Sequence, residues 1–525
     1  MDKNLLLAVS LSLAVYAVWF GLIEKRVMPP GTQTQANEIA GSLHGATPDA
    51  GVGVAPARKS LAQGVEATPT MDKETALKSA ESAQFGKAQA LIGAKGAGVV
   101  SWKETEALGV VELVADPRPG FFSTFPDLTF NRDKNAEGLV YKSMLVDGTT
   151  VKKEFVPEGP NSLPRLKITI ENPTAQTINS GAWTLAIGPG LGTIETEKVE
   201  NAKIMRAVGL LDGKKKADTI KPGAHNENYR WVGVDNRYFL AAVVPAAGDF
   251  DHIDSSLELI GTVSSPKVVL TAKSVSIEPR GSHTWEVPYY IGAKGFRWLS
   301  HYNADLDQAI NFGVFHPIGR LVLSVLLKLH DYLGNFGWSI IILTIMLQAM
   351  LFPFTYQSLK SMAKMKRLQP EIARLQQRYA KDQTRLSQET MELYKKEGAN
   401  PLGGCLPMVI QMPVFYALYT ALRNAWELHG AAWIFWVHDL SAKDPFYVLP
   451  LIMGGVMFLQ NKLNSQQAAD PAQAQMMMWM PVIFTFMFLK FPAGLVLYWL
   501  TNSVVSTTQQ IVLKNHLNPP AVVRR

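Results

Sequence analysis

The sequence predicts a multi-pass α-helical membrane protein of six spans, carrying an all-β sandwich domain outside the membrane. Three observations lead there. Charged residues are 18% of the 525, below the roughly 25% of an ordinary soluble chain. Uncharged runs long enough to cross a hydrocarbon core of roughly 30 Å occur once near the N-terminus and five times after residue 330. Between them, short alternating segments are separated by turn residues, the pattern of strands.

Residues 1–28 hold the first run, Asn4–Ile23, bounded by Lys3 and Glu24. A cleaved signal peptide would end in small residues. Ala17-Val-Trp-Phe-Gly21 is bulky, so a retained anchor is expected. Residues 29–98 open with Pro29-Pro30 and stay rich in Gly, Ala, Thr and Gln, a flexible linker by composition. Residues 99–300 carry the sandwich. Leu166–Ile170, Val275–Ile277 and Thr284–Ile291 read as strands, and Asn172-Pro173, Pro189-Gly190 and Pro222-Gly223 as turns. In 301–333, Ile318, Leu321, Val322, Val325, Leu326, Leu329 and Leu333 recur at helical spacing, with Arg320, Ser324, Lys328 and Asp331 opposite. This is an amphipathic helix lying in the outer interface; a core helix of the β domain is the alternative.

The later uncharged runs are Tyr332–Leu359, Gly398–Leu422, Pro445–Asn461, Pro471–Leu489 and Phe491–Leu513. They place spans at 334–357, 400–426, 445–462, 476–490 and 494–513, the last two divided by Lys490 and the turn Phe491-Pro-Ala-Gly494. Basic residues in short loops set the orientation. Segment 358–399 is strongly basic and the tail 514–525 ends in Arg524-Arg525, so both are cytoplasmic, with 463–475. Loop 427–444 has one lysine, Lys443, and is outside. Counting back, 24–330 lie outside and the N-terminus inside. The whole net charge of +7 falls after residue 330, so the basic pI is no nucleic-acid signature.

In the basic loop, Met362, Met365, Leu368, Ile372, Leu375 and Tyr379 form an apolar stripe. Pro370-Glu371 restarts the helix, Lys381–Thr384 turns, and Leu386–Tyr394 returns as the second arm of a hairpin. Two readings stand level: a solvated loop that sets topology, or a docking platform for ribosomes, lipid headgroups or emerging chains. The basic residues for the latter are Lys360, Lys364, Lys366, Arg367, Arg374 and Arg378.

Catalytic and cofactor motifs are missing from the sequence. Gly188-Pro-Gly-Leu-Gly192 lacks dinucleotide spacing, and Gly209–Lys214 is one residue short of a phosphate loop. Cys405 is the single cysteine, which excludes an intramolecular disulfide and a Cys-based zinc site. Neither enzyme activity, metal nor cofactor is expected. Polar side chains nevertheless fall inside the spans: Thr344, Gln348, Gln411, and a run from Thr501 to Gln510 that includes Asn502, Ser503 and Ser506. Hydrogen bonds between helices would account for one or two of them. Their density in the sixth span favours a water-accessible cavity open to the cytoplasm.

Several motifs in order carry a resemblance. Asn400–Phe415, Ser361-Met-Ala-Lys-Met-Lys366, Trp436-Val-His-Asp-Leu-Ser441, Met480-Pro-Val-Ile-Phe484 and Phe491-Pro-Ala-Gly-Leu-Val-Leu-Tyr-Trp499 resemble the YidC-type membrane protein insertases. The likeness is dense over 290–513 and looser over the β domain. It implies the Gram-negative form in the bacterial inner membrane, with a periplasmic β domain and a five-helix core around a hydrophilic groove. Nascent and newly made inner-membrane proteins would use that groove without nucleotide hydrolysis, alone or beside the Sec translocon. Its lining in this chain would be Thr344, Gln348, Gln411, Tyr498, Trp499, Asn502, Ser503 and Ser506. The family commonly has arginine five residues before the proline that is Pro353; here that residue is Gln348. A small-solute transporter is the first rival, weakened because no inverted repeat or intramembrane carboxylate is seen. An envelope-assembly scaffold working through the β domain is the second.

Overall fold

In a computed structural model, the described residues are 73–517, apart from 107–108, 160, 381, 399–405 and 466–470. The expected N-terminal anchor, most of the linker, Cys405 and the tail from 518 lie outside them. The chain divides into two compact units at Ile310 and Asn311.

The first unit is a β sandwich. Its larger sheet is antiparallel and runs, edge to edge, Asp218–Thr219, Arg206–Leu211, Tyr229–Asp235, Phe239–Val243, Ser282–Ala293, Arg165–Glu171, Thr150–Val156, Leu139–Met144 and Asn131–Arg132. Alternation decides which face is buried. In Arg165–Glu171, Leu166, Ile168 and Ile170 are fully buried while the residues between them turn outward. Opposite them, Val287 pairs with Leu166 and Trp285 with Ile168. The second sheet orders Thr184–Ile187, Val263–Ala272, Phe250–Ile260 and Gly223–His225. Its strand Val263–Ala272 lies over Arg206–Leu211 and Tyr229–Asp235, so Val268 and Leu270 meet the interior on the face of Val232 and Val234.

Strands begin before residue 99. A four-stranded meander runs Glu81–Phe85, Ala88–Ile92, Val99–Glu106 and Gly109–Glu112, which shortens the linker expected over 29–98. Its small residues suggested flexibility by composition, but Ala88, Ala90 and Ile92 alternate onto a buried face. Two polar groups are built into the interior. The Lys153 ammonium nitrogen donates to the Gly96 carbonyl at 2.9 Å and the Phe122 carbonyl at 2.5 Å, and burial pushes it far below its usual range. Asp235 accepts from Arg206 Nε at 2.8 Å and Lys294 Nζ at 2.9 Å. Burial opposes its charge, yet these two cations hold the carboxyl below its usual range.

The second unit is helical: α1 His316–Leu333, α2 Phe336–Arg378, α3 Gln383–Lys396, α4 Leu406–Asn424, α5 Val448–Ser465, α6 Pro471–Phe488 and α7 Ala493–Leu517. The amphipathic helix expected from Ile318 to Leu333 forms as α1, which starts at His316. In the stretch before it, Leu306 and Ala309 pack in a buried cluster of the β domain with Trp231 and Leu299. The apolar stripe of α1 is split. Val322, Leu323, Leu326 and Leu327 are buried, and α1 packs on α2 and α4, while Ile318, Leu321 and Leu333 stay exposed.

Gly334 ends α1 at φ +66, a conformation glycine adopts without steric cost. Asn335 then starts α2: its Oδ1 accepts from the backbone N–H of Gly337 at 2.9 Å and Trp338 at 3.2 Å. With 43 residues, α2 is about 65 Å long, roughly twice a hydrocarbon core. It is long and apolar enough to cross a membrane, its most apolar 18-residue stretch having a mean hydropathy of 1.8. The helix runs through Pro370 without the expected restart. A proline deletes one backbone bond, and here Leu368 and Ile372 on either side are buried against Met365, Leu393 and Tyr394, which holds the helix together. Helix α7 packs on α2 and α5, and α5 on α6.

Candidate functional site: a polar meeting of three helices

Thr344 and Gln348 are one turn apart on α2 and share a face, as do Tyr498 and Asn502 on α7. Residue 411 lies on α4. Packing brings these faces together. Gln348 Nε2 donates to Asn502 Oδ1. Gln411 Nε2 donates to the Tyr498 hydroxyl at 2.9 Å and stands 3.5 Å from the same Asn502 oxygen. Asn502 is therefore the hub of three helices. Gln348 and Tyr498 are buried, and Gln411 and Asn502 half-buried. Each of the four is polar and none carries a formal charge.

The other expected groove residues are distributed around this hub. The Thr344 hydroxyl, fully buried, turns back to the Ile340 carbonyl of its own helix at 2.6 Å. Ser503 is buried and Ser506 half-buried. Further along α7, Thr507 Oγ1, Gln509 Oε1 and Gln510 Oε1 are buried without a partner among the described residues. Trp499 points elsewhere. Its ring lies 4.8 Å edge-on from Phe415, 5.2 Å from Phe488 and 6.0 Å from Phe484, in an aromatic cluster of α4, α6 and α7.

At the other end of these helices, loop 427–444 is tied down. The buried Asp444 carboxylate accepts from Trp436 Nε1 at 3.0 Å, Phe446 N–H at 3.0 Å and Leu449 N–H at 2.7 Å, so it starts α5 and pins the loop together. Asn335 Nδ2 donates to the Ala432 and Trp433 carbonyls at 3.1 and 3.3 Å. The Trp433 ring lies where a side chain on Gly337 would be. Gly494 N–H donates to the Leu440 carbonyl at 2.9 Å, joining the same loop to the start of α7. Arg423, near the end of α4, donates to the Tyr419 hydroxyl at 2.8 Å and lies over that ring, away from the hub. Sequence reasoning missed Asn335 and Asp444 as ties. Gly334-Asn335 before an apolar run and Asp444-Pro445 were the available signals.

On the hairpin, Lys360, Lys364, Arg367, Arg374 and Arg378 are exposed and Lys366 is half-buried. Lys364 Nζ donates to the Gly398 carbonyl at 3.2 Å, and Arg378 and Arg385 both approach the Tyr379 ring. The apolar stripe, by contrast, is occupied by the hairpin's own return arm. Among the described residues no three His, Cys, Asp or Glu side chains gather where a metal could bind.

Known proteins match along nearly the whole chain. The family described as 60Kd inner membrane protein matches residues 328–520, and the YidC periplasmic domain family matches residues 126–325. The chain is 38% identical to the membrane protein insertase YidC of Endomicrobium trichonymphae, over 80% of this chain and 82% of that protein. It is 32% identical to the insertase YidC of Geobacter metallireducens, over 97% of this chain and 98% of that one. Among solved structures, the active YidC insertase with its first transmembrane domain resolved aligns at 18% identity and a TM-score of 0.40. That alignment covers 82% of this chain and 92% of that one. With a polar hub enclosed by apolar helices, a β sandwich ahead of it, and relatives aligned nearly end to end, the chain belongs to the YidC family of membrane protein insertases.

Proposed function

We propose that this protein inserts newly made inner-membrane proteins along a hydrophilic groove centred on Gln348, Gln411, Tyr498 and Asn502. The observation that carries the reading is the convergence of these neutral polar side chains from three helices. The outer faces of the same bundle expose Ile345, Met346, Leu451, Phe458, Ile483 and Phe486. Apolar faces suit lipid, whereas buried polar groups demand protein, water or a client as partner. A client needs a hydrated path only for its polar tail. Burial of its apolar segment, at roughly 25 cal/mol per Å², drives the rest without nucleotide hydrolysis.

In this reading the chain has six spans, both termini are cytoplasmic and the β sandwich is periplasmic. The groove opens to cytoplasm and lipid, and the tied loop 427–444 closes its periplasmic end. Thr344, Ser503 and Ser506 extend the groove lining, while Trp499 braces α7 against α4 and α6 through Phe415, Phe484 and Phe488. Lys360, Lys364, Lys366, Arg367, Arg374 and Arg378 form a cytoplasmic docking face for ribosomes or anionic lipid headgroups. The Sec translocon is a partner for larger clients. The test is a photo-crosslinking side chain at 348 or 499 in the full chain, with a stalled nascent membrane protein. Adducts at 348 and none at exposed 451 support the groove; equal labelling at both removes it. Deleting most of 30–290 should leave insertion active, and its loss would favour an envelope scaffold.

A further inference from the structure

The hub has hydrogen-bonding capacity left over, and the remainder has a definite chemical sense. Gln348 Nε2 and Gln411 Nε2 both converge on Asn502 Oδ1, and Gln411 Nε2 also serves Tyr498. Gln348 Oε1, Gln411 Oε1 and Asn502 Nδ2 are left without a partner among the described residues. The hub thus keeps two amide oxygens able to accept, and spare N–H groups on Asn502 Nδ2 and Gln348 Nε2 able to donate. A half-satisfied amide at such depth is costly unless water or a ligand completes it. The peptide unit, with one N–H and one C=O, is the complement that every polypeptide presents. No formal charge belongs to the hub, so an acidic or a basic side chain entering it is penalised by desolvation without an opposite charge to offset it.

Resting on the insertase reading, we propose that Gln348, Gln411 and Asn502 form a charge-blind site for the client's peptide backbone. Asn502 Nδ2 donates to a client carbonyl, and the two glutamine oxygens accept client N–H groups. Water fills these positions when the groove is empty and is displaced by the chain. The favoured client segment is uncharged and extended, and the site does not separate acidic from basic tails.

The experiment reconstitutes the full-length protein in phosphatidylcholine vesicles, whose zero net charge adds no bias. A single-span client is synthesised in their presence with a neutral, an acidic, a basic or an alternating-proline tail, and protease protection of the tail is measured. The native protein should protect acidic and basic tails within about two-fold of each other. The proline tail, which lacks half its N–H donors, should be protected less than the neutral one by about three-fold or more. Gln348→Arg should favour the acidic tail, and Gln348→Glu the basic tail, each by about five-fold or more. These effects are ratios between tails in one preparation, so partial misfolding of a variant cancels. A five-fold preference of the native protein for either sign overturns the proposal, as does an unchanged ratio in both Gln348 variants. Failure of the native protein to protect any tail overturns instead the insertase reading on which the proposal rests.

Discussion

The Gln411 amide on α4 donates to the Tyr498 hydroxyl on α7 across 2.9 Å, and Tyr498 is almost wholly buried. Removing the hydroxyl while keeping the ring isolates that bond. Tyr498→Phe should lower stability by about 1 kcal/mol. Tyr498→Ala should cost about 3–5 kcal/mol, because it also opens a cavity. Denaturant midpoints of the full chain in detergent would separate the two. Equal losses would mean that the hydroxyl, not the ring, carries the packing of α4 against α7.

Thr507 Oγ1, Gln509 Oε1 and Gln510 Oε1 are buried with no partner among the described residues. Groups of this kind are tolerated where water reaches them. Single cysteines from 501 to 510, in a background lacking Cys405, should therefore react with a membrane-impermeant maleimide added from the cytoplasmic side. Protection at every position would replace the hydrated groove by a dry helix interface.

Asp444 supports three hydrogen bonds from one buried carboxylate. Asp444→Ala strands the Trp436 indole and two backbone donors, and should cost about 2–4 kcal/mol. Asp444→Asn keeps one acceptor oxygen and should lose roughly half as much. Thermal unfolding followed by Trp fluorescence reads both, with Asp439→Ala, at a half-buried loop carboxylate, as the milder control. Matching midpoints for Asp444→Ala and native protein would show that loop 427–444 holds without this tie.

Glu104 in the β domain is pushed up to about 7 by burial and by the neighbouring Glu106, although the Trp102 indole hydrogen bond opposes the shift. The folded carboxyl binds its proton more tightly than the unfolded one, so folding stability falls as pH rises from about 4.5 to about 7. The loss is at most roughly 3 kcal/mol, and less because the side chain is partly exposed. Glu104→Gln should flatten the pH dependence of the melting temperature over that window and stabilise the domain at pH 8. A melting curve whose pH dependence is the same in Glu104→Gln and native protein would assign the effect to another group.

The later uncharged runs, the alternating strands and the basic hairpin were legible because each follows from local periodicity, which needs no knowledge of neighbours. Leu166, Ile168 and Ile170 declare their buried face by alternation alone. The candidate groove was legible only as a list of polar residues misplaced among apolar ones. That Gln348, Gln411 and Asn502 meet, while Trp499 joins Phe415 and Phe488 instead, depends on how α2, α4, α6 and α7 rotate against each other. Rotation is fixed by long-range packing, for which periodicity offers no reference direction. Composition also misread the segment from Glu81 to Ile92, whose alanines are small enough to look flexible yet are held by the pairing of its two strands with each other and of the second with Val99–Glu106. Likewise Pro370 signals a break, and only the contacts of Leu368 and Ile372 with Leu393 and Tyr394 keep α2 continuous. The sequence by itself determined which residues avoid water and at what period. The tertiary structure decided which polar groups would find one another, because a hydrogen bond depends on angstrom-scale distance and direction, whereas burial depends only on side.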